Sequence, residues 1–581
     1  MNNLTDKKLG FFDRLLRRIE TIPASDRFLL RIVFFLIIAT GLSLAFAVNQ
    51  QFSAATATRG GTISEGVLGT PRFVNPALAI TRADQDITML IYSGLLKIDT
   101  EGNLVPDATE SITVSDDGLT YNIILREDVT FHDDTPLTAK DVAYTIHLIQ
   151  DPDLKSPLRG NWSDVSVEEI GDYELNVVLE EPYAPFIENF TVGIMPAHLW
   201  NNLPIEQLPF SQLNTEPIGS GPFRIEQARR DESGLIESYL LTANREHSDS
   251  PKVNNVELHF FAKESDIITA LQDDAIDASA YISTENLSLI PAEKFEILEK
   301  PLPRVFGIFF NQNKSDSLRD AKVREALSLW LDRDTLIKTA LSGRGVPIEK
   351  PVILPANELE SRDGTEVVAS STPQDQALAL LEEAGWERND VGHLEKSTTA
   401  GTEPLKITLR TSNAPLFESI LREVATQWEA LGVEVVTEQF EQTGLVQSVI
   451  RPRDFEALLF GLDMSRSHDL YPFWHSSQKD DPGLNIAQYA NVSVDKLLET
   501  ARTEQDNTAR LEALYEANDT IAKEFPAVFL FQPTMVYVVG KDITLMPIER
   551  PGKPSDRFSN VSEWHTKSDV LWPIFRRNLH E

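Results

Sequence analysis

Seventeen consecutive residues without a charge, Ile32–Val48 (IVFFLIIATGLSLAFAV), divide this chain before any fold can be considered. At ~1.5 Å per residue they make roughly 26 Å of helix, and Phe28–Leu30, with Arg31 reaching back to the headgroups, bring it to about 31 Å, a hydrocarbon core's thickness. The 31 residues ending at Arg31 carry seven basic and four acidic side chains, whereas the whole chain is at -36, so the other 550 residues hold -39. Basic flanks stay on the cytoplasmic side. The expectation is a cytoplasmic tail over 1–27, a transmembrane helix over 28–48, a polar tether over 49–59 and an extracytoplasmic acidic body. Ala45-Phe46-Ala47 also fits a signal-peptidase site, and cleavage near Ala47 would release the body instead. The long segment before the apolar run and the length of the run favour the anchor.

The acidic balance excludes a general nucleic-acid binder, which needs a basic stripe to displace phosphate counterions. The chain has no cysteine, which removes thiol catalysis, Cys-ligated metal, disulfides and a lipidated cysteine. No Walker A, G-x-S-x-G, H-E-x-x-H or G-x-G-x-x-G motif occurs. Gly219-Ser220-Gly221 and Gly343-Arg344-Gly345 read as tight turns. Of ten histidines the closest pair, His468 and His475, brackets Asp469. Two ligands do not make a metal site, so neither metal nor cofactor is expected. With 89 acids, carboxylate pairs arise by chance and identify no glycosidase. The reading is a protein without catalytic machinery.

Beyond Gly60-Gly61 strand-like and helix-like segments alternate, which argues α/β lobes. Leu119–Leu125, Glu174–Leu179 and Val256–Phe261 have β-branched, aromatic strand composition. Thr138 and Asp141 have capping-box spacing ahead of a helix stopped by Asp151-Pro152, and Thr372-Pro373 with Asp375 repeats the device. Asp320 caps an amphipathic helix carrying Val323, Ala326, Leu327, Trp330 and Leu331 at i, i+3, i+4 spacing. Pro415–Leu431 stops at Gly432, ahead of the strand Val433–Val436. Val352–Pro373 and Trp386–Pro404 read as long polar surface loops.

Several of these blocks, in order, resemble the extracellular solute-binding proteins of family 5, the peptide, dipeptide and nickel receptors of ABC transporters. In LTYNIILREDVTFHDDTPLTAKDVAYTIHLI, Arg126, Phe131, Asp133, Thr135, Pro136, Leu137, Thr138, Asp141 and Val142 match the family signature. PIGSGPFRI (Pro217–Ile225) is similar to its glycine turn. Asn311, Asp320, Val323, Arg324, Ala326, Asp332, Arg333 and Gly343 match a third block, and QALALLEEAGW (Gln376–Trp386) a fourth. ILREVATQWEALGVEVV, DFEALLFG and the stretch from Asn485 to Pro533 follow in family order.

The resemblance implies a type II periplasmic-binding-protein-like fold, two α/β lobes plus an insert lobe, all discontinuous. A base lobe would take 60–84, 216–303 and 532–581, an insert lobe 85–215, and a distal lobe 304–531. The function implied is the substrate-binding component of an ABC importer, capturing oligopeptides by hinged closure and delivering them to permease and ATPase subunits. A nickel chelate, an oligosaccharide, or a sensor or chaperone role on the same scaffold are the alternatives. The family holds a peptide's α-ammonium with an aspartate, which here falls to Asp463 or Asp469. Asn311, Tyr92, Arg304, Arg466 and Trp474 are further expected to line the cleft. Trp474 equally suits a core position, Asn311 a strand-end cap and Arg466 a solvated loop. The chain departs from the family at Gly461-Leu462, where a Gly-Trp is usual, and at Asp469-Leu-Tyr-Pro472, which leaves the ammonium partner open.

Overall fold

The computed structural model describes residues 23–52, 54–353, 372–399, 401–464, 466–566 and 568–571. It divides into two units, Arg59–Thr566 and the two chain ends that precede and follow it. In the latter, Ala24–Phe52 is a helix of 29 residues. Phe28, Leu29, Phe34, Phe35, Ile37 and Leu42 are each more than 60% exposed along it; among the described residues no helix is long and apolar enough to cross a membrane, so the expected transmembrane helix is not confirmed. Ala54–Ala57 pairs antiparallel with Ser568–Leu571 in the same unit, Ala54 opposite Leu571.

Of the five sheets described in the unit Arg59–Thr566, three carry its cores. A seven-stranded sheet centres on Thr62–Leu68, flanked in parallel by Asn255–Phe261 and Ala278–Ser279. Phe295–Pro301 forms one edge, beside Thr534–Gly540, and Phe223–Arg230 the other, beside Ile236–Ala243. A four-stranded antiparallel sheet, Thr109–Val114, Thr120–Leu125, Glu174–Leu179 and Val165–Gly171 in spatial order, stands apart from it. One continuous core serves both, running from Ile63 and Val256 through Tyr121 and Val177. Tyr121, Phe186, Phe190 and Trp162 pack there edge-to-face or tilted, geometries that suit the ring quadrupole.

The third sheet has six strands, with Arg304–Phe310 between Ala527–Gln532 and Ala457–Asp463. It has its own cores. Ile308, Phe310, Val528 and Leu530 face one, and Val305, Phe309, Ala527 and Phe529 the other. This two-residue period explains the uninterrupted apolar reading of AVFLFQ, because strands covered on both faces need no polar side.

The helices obey their sequence signals. Thr138 and Asp141 form a capping box at Ala139–Gln150, and Thr372 and Asp375 form one at Pro373–Glu383. Asp320 caps Ala321–Trp330. Pro415–Leu431 ends on Gly432 at φ 103°, where a Cβ would sit 2.6 Å from the Gly392 carbonyl oxygen; only glycine fits there. Trp386–Pro404 departs from expectation. Instead of a loop it holds a three-stranded sheet, Glu387–Arg388, Leu394–Thr398 and Gly401–Pro404. Its short strands are mostly solvent-facing, with Leu394 buried, so the apolar alternation that betrays a strand is missing. Most of Val352–Pro373 lies outside the described residues.

The chain crosses between the seven- and six-stranded sheets at Pro301–Arg304 and again at Gln532–Thr534. The two crossings lie side by side: the Leu302 N–H donates to the Pro533 carbonyl at 2.9 Å, and the Met464 N–H to that of Pro303 at 2.8 Å. Each crossing carries proline, which fixes φ and removes a donor. Two sheets with separate cores, joined by a pair of adjacent proline-bearing strands, make a hinge.

Candidate functional site

At the distal side of the hinge, Arg304 and Asp463 stand opposite each other in the antiparallel register of their strands. Arg304 Nε donates to Asp463 Oδ2 at 3.0 Å, and the two side chains remain 47% and 58% exposed. On the seven-stranded side, Arg82 is the first residue of the helix Arg82–Ile91, capped by Thr81. Its Nη2 donates to the Ala280 carbonyl at 2.8 Å and its guanidinium lies 4.3 Å over the Tyr281 ring. Arg82 is exposed yet desolvated enough to lower its pKa, against the pull of Asp86, and it feels the charge of Arg304.

Beneath Arg82 lies a dry network. Arg557 donates to Glu65 Oε1 through Nη2 at 2.6 Å and Nε at 3.1 Å, and to both oxygens of Asp86 at 2.9 and 2.6 Å. Tyr281 Oη donates to Asp86 at 2.7 Å and Tyr537 Oη to Glu65 at 3.1 Å. The three charged side chains are 0–2% exposed. Burial works against the charge on Arg557, but Asp86 and Glu65 outweigh it and hold its pKa well above the usual value. Every carboxylate is answered by a fork of donors, although at Glu65 burial remains the larger effect and raises its pKa against the pull of Arg557.

Asp469 is engaged differently. Its Oδ2 accepts from Arg502 Nε and Nη2 at 2.9 and 2.7 Å and from Tyr183 Oη at 3.1 Å, and its Oδ1 from the Tyr471 N–H at 3.0 Å. Arg466 donates to the buried Asp556. Near it, burial pushes Glu188 up to about 7 against the pull of Arg466 and Arg510. His468 takes a left-handed φ of 56°, and burial, with Arg550 and Arg466, lowers its pKa to about 4.

The remaining expected residues sit inside the protein. Trp474 is fully buried against Phe309, Tyr489 and Phe529. Asn311, 1% exposed, donates to the Arg453 carbonyl at 2.8 Å and accepts from the Asn313 N–H, capping the end of its strand. Tyr92 is 4% exposed at the end of Arg82–Ile91, under Gly193 and Gly219, and lines a cavity of about 240 Å³ with Lys97, Asp107 and His247. His475 stacks on Tyr471 and bonds Ser477. Among the described residues no three His, Asp or Glu side chains are placed to hold a metal.

Sequence reasoning missed Arg82, Arg557, Tyr183 and Arg502. Thr81 and Asp84 have capping-box spacing that would have placed Arg82 at a helix start. Nothing local could pair Arg557 with Glu65, 492 residues away.

Residues 103–483 match the profile of the bacterial extracellular solute-binding proteins, family 5, middle region. The oligopeptide-binding protein AppA of Bacillus subtilis is 29% identical over 498 residues, covering 84% of this chain and 88% of that protein. Its structure in complex with a nonapeptide superposes with a TM-score of 0.63 at 27% identity, covering 88% of this chain and 99% of that one. NikZ of Campylobacter jejuni in complex with Ni(L-His) gives 0.63 at 25% identity, over 87% and 99%. The ABC transporter-associated periplasmic binding protein DppA of Helicobacter pylori, in complex with the peptide STSA, gives 0.62 at 20% identity over 87% and 98%, a likeness of fold.

Proposed function

The chain belongs to the bacterial extracellular solute-binding proteins of family 5, and from that premise we propose that it captures oligopeptides for an ABC importer. It closes about the Pro301–Arg304 and Gln532–Thr534 crossings and presents the loaded form to permease and ATPase subunits. The observation that carries this reading is the exposed Arg304–Asp463 pair, held in strand register beside the two crossings. A hinged clamp whose polar groups meet at the junction holds a dipolar ligand and makes or breaks no bonds.

The lobes are assigned as 60–84, 216–303 and 532–566 for the base, 85–215 for the insert and 304–531 for the distal part; the base was expected to run to 581, but Lys567–Glu581 groups with the N-terminal end. The seven-, four- and six-stranded sheets support that division. Asp463 is the partner of the peptide's α-ammonium, because Asp469 already accepts four hydrogen bonds. The peptide's ammonium displaces Arg304 from Asp463, and the freed guanidinium, with Arg82, meets main-chain carbonyls. Water fills the side-chain pockets and tolerates varied residues.

The helix Ala24–Phe52 holds the protein to the membrane with its body outside. The uncharged run, the basic flank and the exposed apolar side chains support this, and an intact mass lacking the residues up to Ala47 would replace the anchor with secretion. Binding of a nonapeptide pool to the full chain, with and without Nα-acetylation, tests the ligand assignment. Free peptides bind and acetylated ones lose about tenfold or more, since a charged hydrogen bond is worth about 1.5–3 kcal/mol. Equal binding of the two pools would remove Asp463 from that role.

A further inference from the structure

The cavity of about 240 Å³ that Tyr92 lines lies within the body whose core the seven- and four-stranded sheets share. None of its lining residues belongs to the six-stranded domain, so its walls do not depend on the hinge. A hairpin starts it. Leu96–Ile98 pairs antiparallel with Leu104–Pro106, Leu96 opposite Pro106, and the Asp107 N–H then donates to the Leu95 carbonyl at 3.0 Å. Lys97 and Asp107 thereby come within 3.8 Å of each other. The end of the helix Arg82–Ile91 adds Met89 and Tyr92, and the 3₁₀ turn Pro554–Phe558 with the residues after it adds Phe558 and Asn560. Tyr92, Leu96 and Phe558 are buried and make an apolar floor, while Asp249 and Glu563 are exposed at the rim.

The cations about this cavity are committed elsewhere. Lys97 donates to Asp249 and Lys252 to Glu563, and Arg126 is forked onto Asp128 at 3.0 and 2.8 Å. His247 Nδ1 accepts from the Asp249 N–H at 3.1 Å, so the ring proton sits on Nε2, 3.3 Å from Ser93 Oγ, and desolvation keeps the ring neutral. Asp107 is the surplus charge. Its side chain is 9% exposed, and among the described residues its carboxylate accepts no hydrogen bond; the Lys97 ammonium, at 3.8 Å, is too far to make one. A buried carboxylate without donors is costly. The side-chain nitrogen of Asn560, enclosed at the same cavity, also has no partner. One acceptor, one donor and an apolar floor are thus left open to each other.

We propose that this cavity is a second ligand site, separate from the Asp463 region, for a small primary amine of about amino-acid size. The ammonium donates to Asp107, the apolar body lies on Tyr92, Leu96 and Phe558, and an uncharged acceptor oxygen takes the Asn560 N–H. A cavity of about 150 Å³ holds benzene, so this larger one has room for a branched aliphatic amine carrying a carboxamide. The unmatched negative charge selects a cation over an acid.

Calorimetric titration of the full chain with leucinamide, isoamylamine and isocaproamide tests the site. Leucinamide binds at one molecule per chain. Isoamylamine, which lacks the amide, binds more weakly, and isocaproamide, which lacks the ammonium, loses about tenfold or more. Asp107→Asn weakens leucinamide by about tenfold or more, and Asp463→Asn leaves it unchanged. Asn560→Leu weakens leucinamide but not isoamylamine, a selective loss that keeps the test alive if Asp107→Asn fails to fold. A parent that binds no leucinamide, or binds isocaproamide equally well, would overturn the site, as would leucinamide affinity untouched by Asp107→Asn and Asn560→Leu or lost in Asp463→Asn. A parent that binds leucinamide but no nonapeptide pool would refute the peptide reading and leave this site standing.

Discussion

Two arginine–carboxylate clusters lie on either side of the hinge, built from the same chemistry for opposite ends. Around Arg557 two carboxylates, two tyrosine hydroxyls and one guanidinium are closed off from solvent, and every acidic oxygen has a donor. Around Arg304 a single bond of 3.0 Å joins two half-exposed side chains. Water screens the second pair, so exchanging its partner for a ligand group costs little. The first cannot exchange anything without stranding a buried charge. Placement relative to solvent, not residue type, separates scaffold from site.

The comparison breaks most visibly at Arg557. Arg557→Met leaves Glu65 and Asp86 buried without their cation, and stability falls by about 3–5 kcal/mol, whereas Arg304→Met stays within about 1 kcal/mol. Chemical denaturation of both variants measures the contrast, and similar losses would erase the distinction. Acid sharpens it next. His132 is half-buried, its Nε2 3.0 Å from the Gly221 carbonyl oxygen, and desolvation lowers its pKa to about 4; His468, half-buried near Arg466, is held at about 4 as well. Both are lowered from 6.5, so the unfolded chain takes up protons first. The histidines' contribution is full above pH 6.5 and is lost between pH 6.5 and 4, while Glu188, raised from 4.5 to about 7, works the other way between pH 7 and 4.5, so the net loss is about that of one histidine, roughly 3 kcal/mol. A denaturation midpoint that stays flat across that window would contradict the assignment.

The helices were legible in the sequence because their stop and start signals are local: Thr138 with Asp141, Thr372 with Asp375, and Gly432 at φ 103°. The small sheet within Trp386–Pro404 was not, since solvent-facing strands of two to five residues carry no period. At the site, Arg304 and Asp463 could each be named from the resemblance, but their pairing across 159 residues comes from strand register. Asp469 shows the limit most plainly. A carboxylate in the right loop looks like a ligand partner until the fold brings Arg502 and Tyr183 to it.

Asp463→Asn separates binding from stability. It weakens peptide binding by about 10–100-fold, as loss of a charge-assisted bond should, and leaves the melting temperature unchanged; the converse pattern would make Asp463 part of the scaffold. The smallest effect belongs to Tyr281→Phe, which deletes one donor to Asp86 and costs about 1–2 kcal/mol with no change in peptide affinity. A loss of affinity there would extend the site into the dry network.

Native mass spectrometry of the full chain, purified without denaturation and compared with the denatured protein, tests the central claim most directly. The account predicts a family of co-purified masses that fragment as short peptides and that are depleted in Asp463→Asn. A single non-peptide mass retained by both proteins would contradict it.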